Sequence, residues 1–287
     1  MKKPTLMNVH IKRAVVAVAA AASFVLPAGV SGQAIPSQTT ASAAPPTVLQ
    51  LVDDLIVANQ ILSHEGIVDG LGHISVRHPE RPDRFLLGRD LAPSLQTAAD
   101  LVEYDVDGKA VSATAPVGVS ERFIHAAIYK ARPDVMSVVH AHTPSVLAFA
   151  VSNIPLRPVY HMATFLIGAN IPMFEIRKVP GSTGMLVGTN ELGTALAQVL
   201  GDKPVALLRG HGFVVVGPSI PEAVSRSIFL DVNARVQAQA MALGGSVNLL
   251  TALDAGALGG QSSGPGQPIV YPRSWWYWKE RALGNGN

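Results

Sequence analysis

SERFIHAAIYKARPDVMSVVHAHTP, residues 120–144, reads as a helix that stops near Pro133 and passes into a buried strand from Val135 to His142. Ser120 is placed to cap that helix, and Glu121 falls in its first turn, where the helix dipole favours a carboxylate. His125 lies one helical turn further on the same side, a position that suits core packing or support better than ligation. Along a strand, alternate side chains share a face, so His140 and His142 project together while Ala141 points away. Two imidazoles on one face can begin a metal site, and the same pair can equally be hydrogen-bonded histidines on a polar strand face.

A second stretch, LLRGHGFVVVG at 207–217, sets His211 between Gly210 and Gly212 within two apolar strand halves spanning Val205 to Val216. Glycines on both sides let the backbone turn sharply and bring the imidazole close to a neighbouring segment, although a histidine in an ordinary turn gives the same pattern. Three neutral imidazoles with a fourth position open would make a catalytic rather than a structural site.

Around these stretches, helical spacing is expected over Thr47 to Ser63, Glu191 to Leu200 and Pro221 to Leu243, and a further helix opens at Pro144. The segment His73-Ile-Ser-Val-Arg-His alternates as a strand, ADLVEYDVDGKAV at 99–111 reads as a hairpin turning at Asp107-Gly108, and alternation returns at Met173-Phe-Glu-Ile. Strands and helices interleave without a strict βαβ rhythm, which predicts one α/β sandwich with a mixed sheet over residues 47–250. A loop and an aromatic tail containing Trp275-Trp-Tyr-Trp follow over 251–287; the tail could close a neighbouring subunit's pocket, line an interface or plug the core.

The 287 residues are 48% apolar and 15% charged, enough for one sizeable core. Residues 1–33 read as a signal peptide: Lys2, Lys3, Lys12 and Arg13, the apolar run Ala14 to Leu26, then small residues. The run is shorter than the roughly 20 apolar residues of a spanning helix, and an uncleaved anchor is the alternative. Residues 34–46 form a flexible Pro-containing linker. Removing the signal takes four of the 22 Lys+Arg and none of the 20 Asp+Glu, leaving a net charge of −2. That balance gives no reason to expect nucleic acid or, after cleavage, a membrane as partner, while the signal peptide leads to the expectation of a periplasmic or secreted mature chain. The absence of cysteine removes thiolate ligands and disulfides alike.

Taken together, SERFIHAAIYKARPDVMSVVHAHTP, LLRGHGFVVVG, GLGHISVR at 70–77, the 99–111 hairpin and SIFLDVNARVQAQ at 227–239 resemble the class II aldolase/adducin family over Val48 to Leu243. The resemblance implies a three-layer α/β/α sandwich, a homotetramer with sites at subunit interfaces, a divalent metal on His140, His142 and His211, and Glu121 as catalytic acid/base. Gly72-His73 and Val119-Ser120 stand where the family's sugar-phosphate aldolases carry Gly-Asn and Ser-Ser, which argues against a phosphorylated sugar. HISVR, the SER…IH…IY…ARPDVM wording and Tyr160-His161 are closer to the branch resembling 3-hydroxy-2-methylpyridine-4,5-dicarboxylate 4-decarboxylase. On that likeness His73 and His161 face the substrate, Tyr160 is a catalytic acid supplied across an interface, and Arg209 is placed to bind a carboxylate, with a surface ion pair as its other use.

The expected function is therefore a divalent-metal carbon–carbon lyase, decarboxylase first and aldolase second, acting on a small hydroxy or aromatic carboxylate. Zn2+ is the leading ion, with Mn2+ or Fe2+ as alternatives. A non-heme iron oxygenase and a non-catalytic adducin-like binding module are the competing readings. The oxygenase more usually needs two histidines and a carboxylate, and the binding module lacks the metal histidines.

Overall fold

A computed structural model describes residues 46–254 and 272–284. The signal-like segment and all of the linker but Pro46 lie outside the described residues, as does 255–271 of the Gly/Ser-rich stretch. No helix among the described residues is long and apolar enough to cross a membrane.

Seven strands form one sheet: β1 (His73–Arg77), β2 (Arg84–Gly88), β3 (Leu101–Asp105), β4 (Ser137–Ala141), β5 (Met173–Phe174), β6 (Val205–Leu208) and β7 (Gly212–Gly217). Their order is β3-β2-β1-β4-β7-β6-β5, antiparallel throughout except for the parallel β5–β6 pair at one edge, so the expected mixed sheet is present. Helices cover both faces. On one side lie α1 (Val48–His64), α3 (Pro144–Val151), α5 (Ile220–Ala242) and α6 (Pro272–Ala282); on the other lie α2 (Arg122–Ala131) and α4 (Asn190–Leu200). The three-layer α/β/α sandwich is thus observed.

Strand alternation divides the residues cleanly between these layers. Ile74, Val76, Val139, Ala141, Phe213 and Val215 pack toward α1, α3 and α5, while Val138, Val214 and Val216 pack toward α2 and α4. His73, Ser75 and Arg77 alternate with Ile74 and Val76, and His140 alternates with Val139 and Ala141, so these polar side chains face α2. Every residue of β1 and β4 is buried, which means that each polar group there needs a protein partner or a ligand.

Three expectations need correction. Ser120 does not cap α2: it is exposed, and Glu121 is itself the N-cap, with no side-chain cap hydrogen bond because its carboxylate is engaged elsewhere. The strand expected to run to His142 ends at Ala141, so His142 stands just past it. The aromatic tail is a helix, because the i, i+3 spacing of Trp275 and Trp278 puts two indoles on one face; both are buried, Trp278 lying 5.5 Å from Phe229, while Trp276 and Tyr277 are exposed.

α2 and α4 pack unusually closely where α4 carries Gly193. A Cβ added there would sit 2.3 Å from the Phe123 carbonyl oxygen. Alanine is the better helix former by about 1 kcal/mol, but this clash would force apart the helix that begins at Glu121. Gly193→Ala is expected to destabilise the protein by about 1–3 kcal/mol, seen as a lower urea midpoint; an unchanged or higher midpoint would show that the helices yield freely.

Candidate metal centre

Four side chains from three parts of the chain meet at the α2-facing side of the sheet. The register pairs His73 with His140 across β1–β4 and His140 with Val214 across β4–β7, so the end of β4 lies between the start of β1 and the start of β7. The turn from β6 into β7 is closed by the His211 N–H donating to the Leu208 carbonyl at 3.0 Å, with Gly210 at φ +67°. That is the left-handed region in which a side chain is strained. The two glycines therefore do what their spacing predicts: Gly210 makes the turn, and Gly212 lets β7 approach β4 beside His142.

The donor atoms of Glu121, His140, His142 and His211 all lie within 4.8 Å of one another. His142 Nε2 is 3.0 Å from His140 Nε2, and Glu121 Oε2 is 3.4 Å from Nε2 of both His140 and His211. Ligands about 2.0–2.2 Å from a tetrahedral cation stand about 3.3 Å from each other, so the spacing suits one ion. The hydrogen-bond pattern agrees. His140 Nδ1–H donates to the Phe213 carbonyl at 2.9 Å, which leaves Nε2 as a lone pair facing the cluster. The Val187 N–H donates to Glu121 Oε1 at 2.8 Å and leaves Oε2 turned toward the rings. These donors fit a divalent cation.

The electrostatics favour an ionised Glu121 carboxylate beside unprotonated His142 and His73 rings. Burial would push the Glu121 carboxyl up, but the His140 and His211 rings more than offset it and hold the group far below the usual carboxylate range. Burial, reinforced by His140 and His211, holds His142 down to about 4, and burial with His140 beside it holds His73 down to about 3. Neutral imidazole is the form that binds metal.

Of the other expected site residues, His73 is brought in: it is buried, its ring centroid 5.2 Å from that of His140. Tyr160 and His161 are not part of the donor cluster. They stack on each other at 4.9 Å, Tyr160 packs on Phe229 at 6.2 Å, and His161 is exposed. Arg209 Nε lies 3.2 Å from Glu175 Oε2, so its guanidinium makes the ion pair that was its other use. Three further contributors had no signal that was read in the sequence: the Val187 N–H, the Phe213 carbonyl and the polar chain behind His73. For the last, the alternation of polar residues in HISVR was a usable sign.

A sheet buried between two helical layers along its central strands, with a carboxylate and three imidazoles facing one another, defines an α/β protein carrying a candidate metal centre. Residues 53–238 match the Class II Aldolase and Adducin N-terminal domain, and the chain belongs to that family. It is 42% identical over 196 residues to Decarboxylase tropJ of Talaromyces stipitatus, covering 64% of this chain and 73% of that one. It is 32% identical over 218 residues to the 3,4-dihydroxyphthalate decarboxylase of Arthrobacter keyseri, covering 71% and 84%. Among solved structures, the aldolase II superfamily protein from Pseudomonas syringae superposes with a TM-score of 0.68 at 24% identity, covering 84% of this chain and 95% of that chain. That last likeness speaks to the fold.

Dialysed wild-type protein is expected to retain about one divalent ion per chain by elemental analysis, and His142→Ala to lose it. Equal metal content in the two proteins would remove His142 from the ligand set.

Proposed function

We propose that the chain is a divalent-metal-dependent decarboxylase acting on a hydroxylated aromatic carboxylate. The observation that carries this reading is the convergence of His140, His142 and His211 on the Glu121 carboxylate, in a chain related to decarboxylases. His140, His142 and His211 hold the ion, with Zn2+ first and Mn2+ or Fe2+ as alternatives, since imidazole discriminates poorly among them. When bound, the ion supplies a Lewis acid that stabilises negative charge developing on a substrate oxygen.

The protein groups supply position and proton transfer. Decarboxylation replaces carbon dioxide by a proton on the carbon that loses it, so a group must carry that proton. Glu121 is placed for this: Val187 fixes one oxygen, and the other faces the cluster. It takes the proton of a substrate hydroxyl and delivers it to the carbon as the carbon–carbon bond breaks. His73 borders the same space and contacts the substrate. In this reading Tyr160 and His161 act from a neighbouring subunit of a homotetramer, and Arg209 receives a substrate carboxylate by giving up its pair with Glu175. The N-terminal segment, read as an export signal, assigns the reaction to the periplasm or the exterior.

Aldol cleavage makes the same electronic demand and is the second reading, supported by the family itself. The test is carbon dioxide release from 3,4-dihydroxyphthalate and related hydroxybenzoates by metal-loaded protein. Glu121→Gln should keep its metal and lose at least about 100-fold in turnover. Oxygen consumption in place of carbon dioxide release, or full activity in Glu121→Gln, would overturn the proposal.

A further inference from the structure

Behind His73 a chain of buried polar groups runs away from the metal centre into the layer under α2. His73 Nδ1 lies 2.7 Å from His125 Nε2, His125 Nδ1 lies 2.6 Å from Ser75 Oγ, and Ser75 Oγ lies 2.8 Å from the Tyr129 hydroxyl. All four residues are buried, and Phe85 closes the chain off from solvent by packing its ring 5.2 Å from Tyr129 and 6.3 Å from His125. Arg77 fixes the far end. Its Nη2 donates to the Tyr129 carbonyl at 2.8 Å, its Nε donates to the Val135 carbonyl at 2.9 Å, and its guanidinium lies 4.7 Å from the Tyr129 ring centroid. This much polarity, sealed in a core and ending beside a metal centre, needs an account beyond packing.

The hydrogens decide what the chain does. Each neutral imidazole carries one N–H, and Ser75 and Tyr129 carry one O–H apiece. Both rings are buried and meet only uncharged hydrogen-bond partners in this chain, so each is counted with one hydrogen. If Tyr129 donates to Ser75, Ser75 to His125 Nδ1, and His125 Nε2–H to His73 Nδ1, all three links are satisfied and His73 keeps its hydrogen on Nε2. If the direction is reversed, the Tyr129 hydroxyl hydrogen has no acceptor among the described residues. If Ser75 instead accepts from both sides, its own hydrogen has none. A buried hydroxyl without an acceptor is disfavoured, so the first arrangement stands.

We propose that Ser75 and His125 are positioning residues that lock His73 in the Nε2–H tautomer, so that it presents a fixed neutral donor to an anionic oxygen of the substrate beside the metal centre. Nε2 has no protein partner among the described residues, and the ring borders His140. A neutral donor held by a dry chain binds a carboxylate or phenolate oxygen without adding a charge that would repel the cation. The inference rests on the reading of this site as a carboxylate-processing centre, but the tautomer itself does not.

The decisive measurement is the histidine 15N–1H long-range correlation spectrum of the zinc-loaded protein, with His73 assigned by the signal lost in His73→Gln. Protonated Nε2 and bare Nδ1 are expected at His73; protonated Nδ1 would overturn the proposal without any turnover assay. Ser75→Ala removes the donor to His125 Nδ1. With metal content unchanged, it should mix the His73 tautomers and raise KM for 3,4-dihydroxyphthalate about tenfold while kcat stays within about twofold. Ser75→Thr, which restores a hydroxyl, should recover the tautomer, and Tyr129→Phe, which leaves His125 Nδ1 as the one acceptor for the Ser75 hydrogen, should keep it. A single unaltered His73 tautomer in Ser75→Ala would also sink the proposal. If wild-type protein leaves 3,4-dihydroxyphthalate untouched, the substrate reading falls and the spectra alone decide this one.

Discussion

Where β7 begins, its backbone passes so close to the end of β4 that a single extra carbon has no room. A Cβ on Gly212 would lie 2.3 Å from the Ala141 carbonyl oxygen and 2.8 Å from His142 Cδ2. The site depends on that approach. It puts His211, one residue earlier, against two histidines some seventy positions away in sequence, and it aligns the Phe213 carbonyl with His140 Nδ1. The same antiparallel pairing carries through β4 to β1 and delivers His73 from the other side. One contact between backbones therefore sets the positions of four imidazoles, and α2 needs only to bring Glu121 over them.

Electrostatically, the arrangement sets the Glu121 carboxylate among four imidazoles. Without a cation, lone pairs on His140 Nε2 and Glu121 Oε2 would face each other at 3.4 Å, an arrangement of little intrinsic stability. With one, the same spacing becomes a ligand shell. Burial does double duty here: it holds the His73 and His142 rings unprotonated, and it strengthens each remaining interaction by excluding water. The metal and the substrate belong to the proposed function; the donor geometry is one that suits a cation.

Much of this was legible before any coordinates. The layers, sheet type and nearly all helices follow from period-2 and period-3.6 patterns, and His140, His142 and His211 were found because strand alternation and flanking glycines have local geometric meaning. What escaped was tertiary in origin. Ser120 looked like a cap because capping is a local preference, whereas Glu121 took the N-cap position while its carboxylate was drawn to Val187 and the imidazoles. The α6 helix went unread because a short run of tryptophans carries little periodicity of its own. It is held by burial of two indoles against the α1 and α5 layer and by the Arg281–Glu65 ion pair at 3.0 Å. Arg209 marks another limit of the same kind: its place beside His211 in sequence says nothing of Glu175, with which it pairs in space.

The polar face of β1 makes the deeper point about how this fold tolerates a reactive centre. A strand buried on both faces would ordinarily read as continuous apolar residues, yet His73, Ser75 and Arg77 occupy every inward position toward α2. Each is compensated by a partner from the same helix or the loop that follows it: His125, Tyr129, and the carbonyls of Tyr129, Arg132 and Val135. The helix that carries Glu121 is thus tied to the sheet by a polar seam as well as by apolar packing. Apolar side chains could slide by an ångström at small cost, but a series of hydrogen bonds with fixed donors and acceptors permits one register. That difference gives a physical reason for the polar seam: it fixes the register in which α2 brings Glu121 to the imidazoles.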